Sequence, residues 1–372
     1  MILLGSDLPR RWLISMNLVV LMAVACQADE PVAQPRPSAT FFSPTDEPPT
    51  PTPTAPELPA QDIVFVYSAN GDIYGETIEG ERVTFADGPQ DEVWPSLAPD
   101  GSQLLYQVGT GPPGQIRHLD ESPHTAPRIG PGQYPSFAPN GRAAWVVNNA
   151  AARPHIVVGP LFSEPEARIV PIRDWDGPIQ VNPPLAWDLN GEYLYYAAGW
   201  EETSDLYQTD SRGDVDPFPL GQAIGLGAGF HLLGPHVRDR SSVHVFGACC
   251  MEGVEDPWEM FELGRARFTE SGPVYQTVTN LDRTITDQSF AGWYPQVISL
   301  GNLWREEASG RWIETKDSTW IVANQIEAWL VSEGGGIQDL AEILITEHGY
   351  RRRHSGGIPG TFEGWSAGPA TL

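Results

Sequence analysis

The chain has almost no lysine. Only Lys316 contributes one to the 22 basic residues, which face 48 acidic residues and leave a formal net charge of −26 over 372 residues. A surface of that sign repels phosphate backbones and other polyanions, so a nucleic-acid partner is excluded. Cysteine is nearly as scarce, with three residues in all, so the chain can build no disulfide framework and no four-thiolate zinc cage. The eight histidines (His118, His124, His155, His231, His236, His244, His348 and His354) are dispersed, with no His-Glu-x-x-His pair and no Cys/His zinc spacing. No metal and no cofactor is expected. The apolar run from Trp12 to Ala25 falls short of the roughly 20 residues that a membrane-spanning helix needs.

That short run has the logic of an export signal instead. Arg10-Arg11 supply a positive flank, and the run closes on Ala23-Val24-Ala25-Cys26. This resembles the bacterial lipoprotein signal, in which small residues precede a cysteine that is lipidated and becomes the new N-terminus. The resemblance implies a signal peptide over 1–25, lipid on Cys26, and an extracytoplasmic protein anchored to the bacterial cell envelope, at the cell surface or in the periplasm. Residues 26–60 then form a tether. Text such as Thr50-Pro51-Thr52-Pro53-Thr54 has little to bury and favours disordered, extended chain. At about 3 Å per residue it reaches on the order of 100 Å from the lipid.

Residues 61–372 carry an internal repeat. Trp94-Pro95-Ser96-Leu97-Ala98-Pro99-Asp100-Gly101 returns as Tyr134-Pro135-Ser136-Phe137-Ala138-Pro139-Asn140-Gly141, and in a worn form as Leu185-Ala186-Trp187-Asp188-Leu189-Asn190-Gly191. Weaker copies lie at Pro235–Ser241, Pro295–Gly301 and Glu363–Pro369. A second element recurs between these anchors: alternating apolar text that ends in a turn, as in Gly71-Asp72-Ile73-Tyr74 and Ser204-Asp205-Leu206-Tyr207. Period-two alternation cut by Gly, Asp and Asn reads as antiparallel strands. Each unit then has four strands, A to D, with the Pro-to-Gly phrase on strand A. Six units share the 312 residues, 52 apiece, which suits a propeller blade. The phrase around Trp365 gives a strand A with no B, C or D after it. Ile63 to Tyr67 reads as a strand B with no A before it, followed by Gly71–Thr77 as C and Glu81–Phe85 as D. Pairing these two half-units closes the ring. The expected fold is all-β: a six-bladed β-propeller of four-stranded antiparallel blades, closed by N-terminal strands against the C-terminal strand.

The Pro-Ser-x-Ala-Pro-Asp/Asn-Gly phrase and the apolar strand after it resemble the WD-repeat-type motif of TolB-like β-propellers. The resemblance covers about 61–372 and implies a six-bladed ring with a binding or scaffolding role. TolB itself has a separate domain ahead of its propeller, where this chain has only the tether.

Candidate chemistry is sparse. Gly364-Trp365-Ser366-Ala367-Gly368 matches the Gly-x-Ser-x-Gly of esterase elbows, but no histidine follows it, and in repeat register Ser366 belongs to a strand A. Gly225-x-Gly227-x-Gly229 opens no helix and reads as a loop between blades. Asp210, Asp214 and Asp216 have the wrong spacing for a calcium loop and read as a solvated turn between strands C and D. No catalytic residue is assigned.

In a four-stranded blade the B–C and D–A connections emerge on one face, opposite the A–B turns. Strand order places Trp200, Glu201, Glu202, Cys249 and Cys250 in B–C positions. Asp174, Trp175, Asp176, Trp293 and Arg351-Arg352-Arg353-His354 fall in D–A positions. Aromatics and arginine are enriched at binding hot spots. The expected function is therefore a non-catalytic module that binds or scaffolds an envelope protein or a glycan, acting as a monomeric propeller. A polysaccharide hydrolase or lyase using carboxylates such as Glu201, Glu202, Asp174 or Asp176 is the alternative.

Cys249 and Cys250 admit two states: a strained vicinal disulfide, or two reduced thiols packed as small hydrophobes. Mass spectrometry of the unreduced exported protein separates them. A bridge protects both residues from alkylation, whereas free thiols both become labelled.

Overall fold

The structure is a computed structural model and describes residues 62–109, 115–119, 128–148, 153–172, 179–188, 190–200, 203–223, 231–236, 239–246, 262–269, 272–280, 296–323, 328–350, 353–355, 358–360 and 362–371. The chain divides into two units, Met1–Pro53 and Thr54–Leu372, and every described residue belongs to the second. Cys26, the signal and the 26–60 tether therefore lie outside the described residues.

Sheet one begins with β1 (Ile63–Ala69), β2 (Asp72–Thr77) and β3 (Arg82–Ala86). Sheet two is β4 (Glu92–Leu97), β5 (Leu104–Val108), β6 (Gln115–Leu119) and β7 (Arg128–Pro131). Sheet three is β8 (Gln133–Phe137), β9 (Ala143–Val147), β10 (His155–Gly159) and β11 (Ala167–Ile169). Sheet four is β12 (Gln180–Trp187), β13 (Tyr193–Trp200), β14 (Thr203–Asp210) and β15 (Phe218–Pro219), followed by the short α1 (Leu220–Ala223). Sheet five is β16 (His231–His236), β17 (Asp239–Phe246), β18 (Glu262–Thr269) and β19 (Gly272–Asn280). Sheet six opens with β20 (Gln296–Ser299), detours through a ribbon of β21 (Leu303–Arg305) and β22 (Trp312–Glu314), and resumes with β23 (Thr319–Ala323), β24 (Ala328–Ser332) and β25 (Ile337–Asp339). Helix α2 (Leu340–His348) and a second ribbon, β26 (Arg353–Ser355) with β27 (Ile358–Gly360), lead to β28 (Phe362–Ala367).

Strand β28 returns to sheet one and pairs antiparallel with β1, placing Ala367 opposite Phe65, Ser366 opposite Val66 and Trp365 opposite Tyr67. Among the described residues there are thus six four-stranded antiparallel sheets and two ribbons. Each first strand packs on the neighbouring sheet: β4 on β1 and β28, β8 on β4, β12 on β8, β16 on β12, β20 on β16, and β28 on β20. This is an all-β propeller of four-stranded blades. The half-units read at the two ends of the repeat pair as the sequence requires.

The core lies between sheets rather than inside one. Ile63, Val66 and Ile73 of sheet one pack with Leu97, Leu104 and Tyr106 of sheet two. On the other side, Val64, Phe65 and Tyr67 pack with Leu300, Ile321, Leu330 and helix α2. Every residue of β1 is buried as a result, and so is every residue of β4 and β5. Strand alternation predicts one wet face; these strands have none, because both faces meet a neighbour. Helix α2 and both ribbons are absent from the sequence reading. The helix has a local signature nonetheless: Asp339 Oδ1 accepts the Glu342 N–H at 2.9 Å as N-cap, and Gly349 ends the helix at φ 69°.

The repeated phrase now has a physical meaning. Its register slips at the same place in three sheets, between Val93 and Ser96, Gln133 and Ser136, and Asn182 and Ala186. The residue before the Pro-Ser pair takes positive φ: 54° at Trp94, 54° at Tyr134, and 114° at the matching Gly364. The bulge turns the serine toward the next blade. Ser96 Oγ accepts the Phe137 N–H at 2.9 Å, and Ser366 Oγ accepts the Leu97 N–H at 3.2 Å. Glutamines from the preceding blade catch N–H groups that the bulge frees: Gln296 Oε1 takes Trp365 N at 2.8 Å, and Gln107 Oε1 takes Tyr134 N at 3.3 Å. The Asp/Asn-Gly end closes the A–B turn. Asp100 Oδ1 accepts from the Ser102 backbone at 2.9 Å and hydroxyl at 2.6 Å, which holds its carboxyl below the usual range. Gly101, Gly141, Gly191 and Gly301 take the left-handed position that follows.

Two substitutions test this frame in urea unfolding of the purified protein. Ser96→Ala strands the buried Phe137 N–H and lowers stability by about 1–2 kcal/mol. Gly364→Ala costs more, because a Cβ there sits 2.6 Å from the Trp94 Cα. A Gly364→Ala variant as stable as the parent would contradict the register.

Candidate functional site

Strand order defines two faces, and of the anticipated residues Trp200, Arg353 and His354 are described, at B–C and D–A positions. Trp200 ends β13 and pairs with Thr203 of β14, at the B–C connection. Arg353 and His354 pair with Gly360 and Pro359 in the ribbon of the D–A connection between β25 and β28. Asp174, Trp175, Asp176, Glu201, Glu202, Cys249, Cys250, Trp293, Arg351 and Arg352 lie outside the described residues, as does the Gly225–Gly229 stretch.

A groove missed by the sequence reading lies at the opposite ends of sheets three and four. It has a volume of about 520 Å³, and its walls come from A–B and C–D turns: Asn140, Arg142 and Glu166 of sheet three, and Asn190 to Tyr193 with Asp210 to Asp214 of sheet four. Arg142 holds its floor. One guanidinium nitrogen donates to Ser211 Oγ at 2.6 Å, and the other reaches the Ser211 carbonyl at 3.1 Å and Glu166 Oε2 at 2.7 Å. Asn140 ties the two A–B turns together by donating to the Asn190 and Gly191 carbonyls at 3.3 and 3.1 Å. Asp210 Oδ1 accepts the Val215 N–H at 3.1 Å and folds its turn over the rim. The Asp210–Asp216 segment is therefore a C–D turn, as read from sequence, and it also walls a groove. The only sequence signal was that run of carboxylates. Arg142, which binds Ser211 in that run, stands 69 residues away, and no local pattern announces it.

A second polar cluster sits at the seam between sheets six and one. Glu76 of β2 is fully buried, with Arg305 Nε at 3.8 Å and His348 Nε2 at 3.3 Å; Arg305 also holds Glu347 at 2.6 Å. Beside it the Tyr67 and Tyr350 hydroxyls share a 2.8 Å hydrogen bond, and burial pushes both phenols above their usual range. The Arg82 guanidinium lies over Tyr74 and Tyr350, 4.9 and 5.6 Å from the ring centres. Glu76, Arg305 and Tyr67 are buried at this seam, while Arg82 and Glu347 lie at its exposed rim. The cluster is a clamp on the closure rather than a site open to ligands.

Ser366 is a poor nucleophile where it stands. It lies mid-strand in β28 and its Oγ already accepts from the next blade. Among the described residues, no group of three or more His, Cys, Asp or Glu side chains is placed to hold a metal ion.

The arrangement defines a β-propeller, and comparison with solved structures agrees on the fold. The chain is similar to a nidogen/laminin complex structure (TM-score 0.51, 11% identity, 82% of this chain and 98% of that one). It is also similar to TolB from Acinetobacter baumannii (TM-score 0.48, 11% identity, 83% and 67%). A third similar structure is a TolB assigned to Agrobacterium tumefaciens (TM-score 0.42, 13% identity, 76% and 88%). No family model and no curated protein matches the sequence.

The clamp yields a stability prediction. Arg305→Met leaves Glu76 buried without its cation and lowers stability by about 3 kcal/mol. Adding Glu76→Gln recovers part of that loss in the same urea titration. An unchanged midpoint for the single variant would mean the cation is not needed.

Proposed function

We propose that the protein is a non-catalytic binding or scaffolding module: a six-bladed propeller held outside the cytoplasm by lipid on Cys26 and a Pro/Thr-rich tether. One observation carries the reading. On the A strands Ser96, Ser366 and Gln296 are spent on hydrogen bonds between blades, so the ring is a frame whose chemistry is left to its turns and connections. A frame of that kind suits recognition of a large partner, since it holds residues distant in sequence at fixed spacing. A similar structure, determined as a nidogen/laminin complex, agrees with this role for the fold. The partner is an envelope protein or a glycan, met on the loop-rich face by Trp175, Trp200, Glu201, Glu202, Trp293, Arg351, Arg352, Arg353 and His354. No nucleic acid is expected against a charge of −26.

Crosslinking in the native cell, followed by identification of what is captured, tests the role. Alanine at Trp200, Trp293 and Arg351–Arg353 should reduce capture while circular dichroism stays unchanged; undiminished capture would move the site elsewhere. Cys26→Ala should release the protein from the membrane fraction into the soluble one. A variant that stays membrane-bound would remove the lipid anchor from the reading.

A further inference from the structure

The groove between sheets three and four offers a surface different from the loop-rich face. Four carboxylates line it (Glu166, Glu192, Asp210 and Asp214) against two guanidinium groups, Arg142 and Arg212. The Arg142 charge is already committed to Glu166 and Ser211. Glu192, Arg212 and Asp214 are exposed, so the lining presents an excess of negative charge to whatever enters. The wall also carries Tyr193, a large aromatic left 43% exposed. The C–D turns that supply Glu166 and Asp214 expose Phe162 and Val215 at 59% and 60%. The groove is thus a polar slot with an aromatic wall, and each C–D turn that borders it carries an exposed apolar side chain. At about 520 Å³ it admits one or two side chains with their backbone, not a folded domain.

We propose that this groove docks an extended protein segment bearing a lysine or arginine. The cation enters between Glu192 and Asp214, its stem lies along the Tyr193 ring, and flanking apolar residues rest on Phe162 and Val215. Charge complementarity selects the partner. A guanidinium or ammonium relieves the carboxylate excess, whereas an acidic segment meets repulsion from the slot and from the −26 of the whole chain. The proposal rests on the binding role above only in treating the ring as a recognition module; it names the other face.

Fluorescence anisotropy of the full-length chain with a labelled alternating Gly-Arg octapeptide tests it, with Gly-Gln and Gly-Glu octapeptides as comparisons. The Gly-Arg peptide should bind and the other two should not. The double variant Glu192→Gln/Asp214→Asn should weaken binding about tenfold, and Tyr193→Ala about threefold. A matched variant, Glu314→Gln/Glu333→Gln, removes the same charge from exposed positions on sheet six and should change affinity by less than about twofold. Equal losses from the two double variants would reduce the effect to the diffuse field of an acidic protein and overturn the proposal. Absence of Gly-Arg binding, or equal binding of Gly-Gln, would overturn it as well. In-cell capture keeps the two readings apart. If the groove variant still crosslinks to the same partners, the groove falls and the binding module stands.

Discussion

Everything in the fold depends on the pairing of β1 with β28. Without it sheet one has three strands and an open edge, and the two clusters that flank β1 lose their common wall. Phe65, Tyr67 and Trp365 stand at this junction with ring centres 5.3 to 5.6 Å apart, so the seam is also an aromatic cluster. The Glu76–Arg305–His348 clamp and helix α2 then cover it from outside. Closure is thus secured three times: by backbone pairing, by aromatic packing, and by a buried ion network.

A related economy runs through the other blades. At these bulges the ladder breaks and neighbouring blades are engaged instead: the freed Trp365 and Tyr134 N–H groups go to Gln296 and Gln107 of the blade before, and Ser96 and Ser366 accept from the blade after. The serine and glutamine acceptors make one blade's irregularity the next blade's register mark. Positive φ at Trp94 and Tyr134, unusual for large side chains, is tolerated because the surrounding sheets over-determine it.

The fold was legible because the repeated phrase is made of backbone duties. Proline, serine and glycine recur where a bulge, a blade-to-blade acceptor and a left-handed turn are needed, and such requirements survive changes in the apolar filling. The half-units at Ile63 and Trp365 were readable for the same reason. Helix α2 and the ribbons were not read, since each is shorter than the window over which periodicity speaks; the Asp339 and Gly349 caps were the available clue. The groove was invisible for a different reason. Arg142, Ser211 and Glu166 meet only because turns of neighbouring blades stand side by side. Sequence reasoning looked instead to the long connections, whose residues fall mostly outside the described structure.

The position of β1 also has a mechanical consequence. Its first residue, Ile63, stands at the end of sheet one where the A–B turns lie, and β1 is hydrogen-bonded on both sides, to β2 and to β28. Tension arriving through residue 62 therefore pulls along the strand axis, loading both ladders in shear at once instead of unzipping them bond by bond.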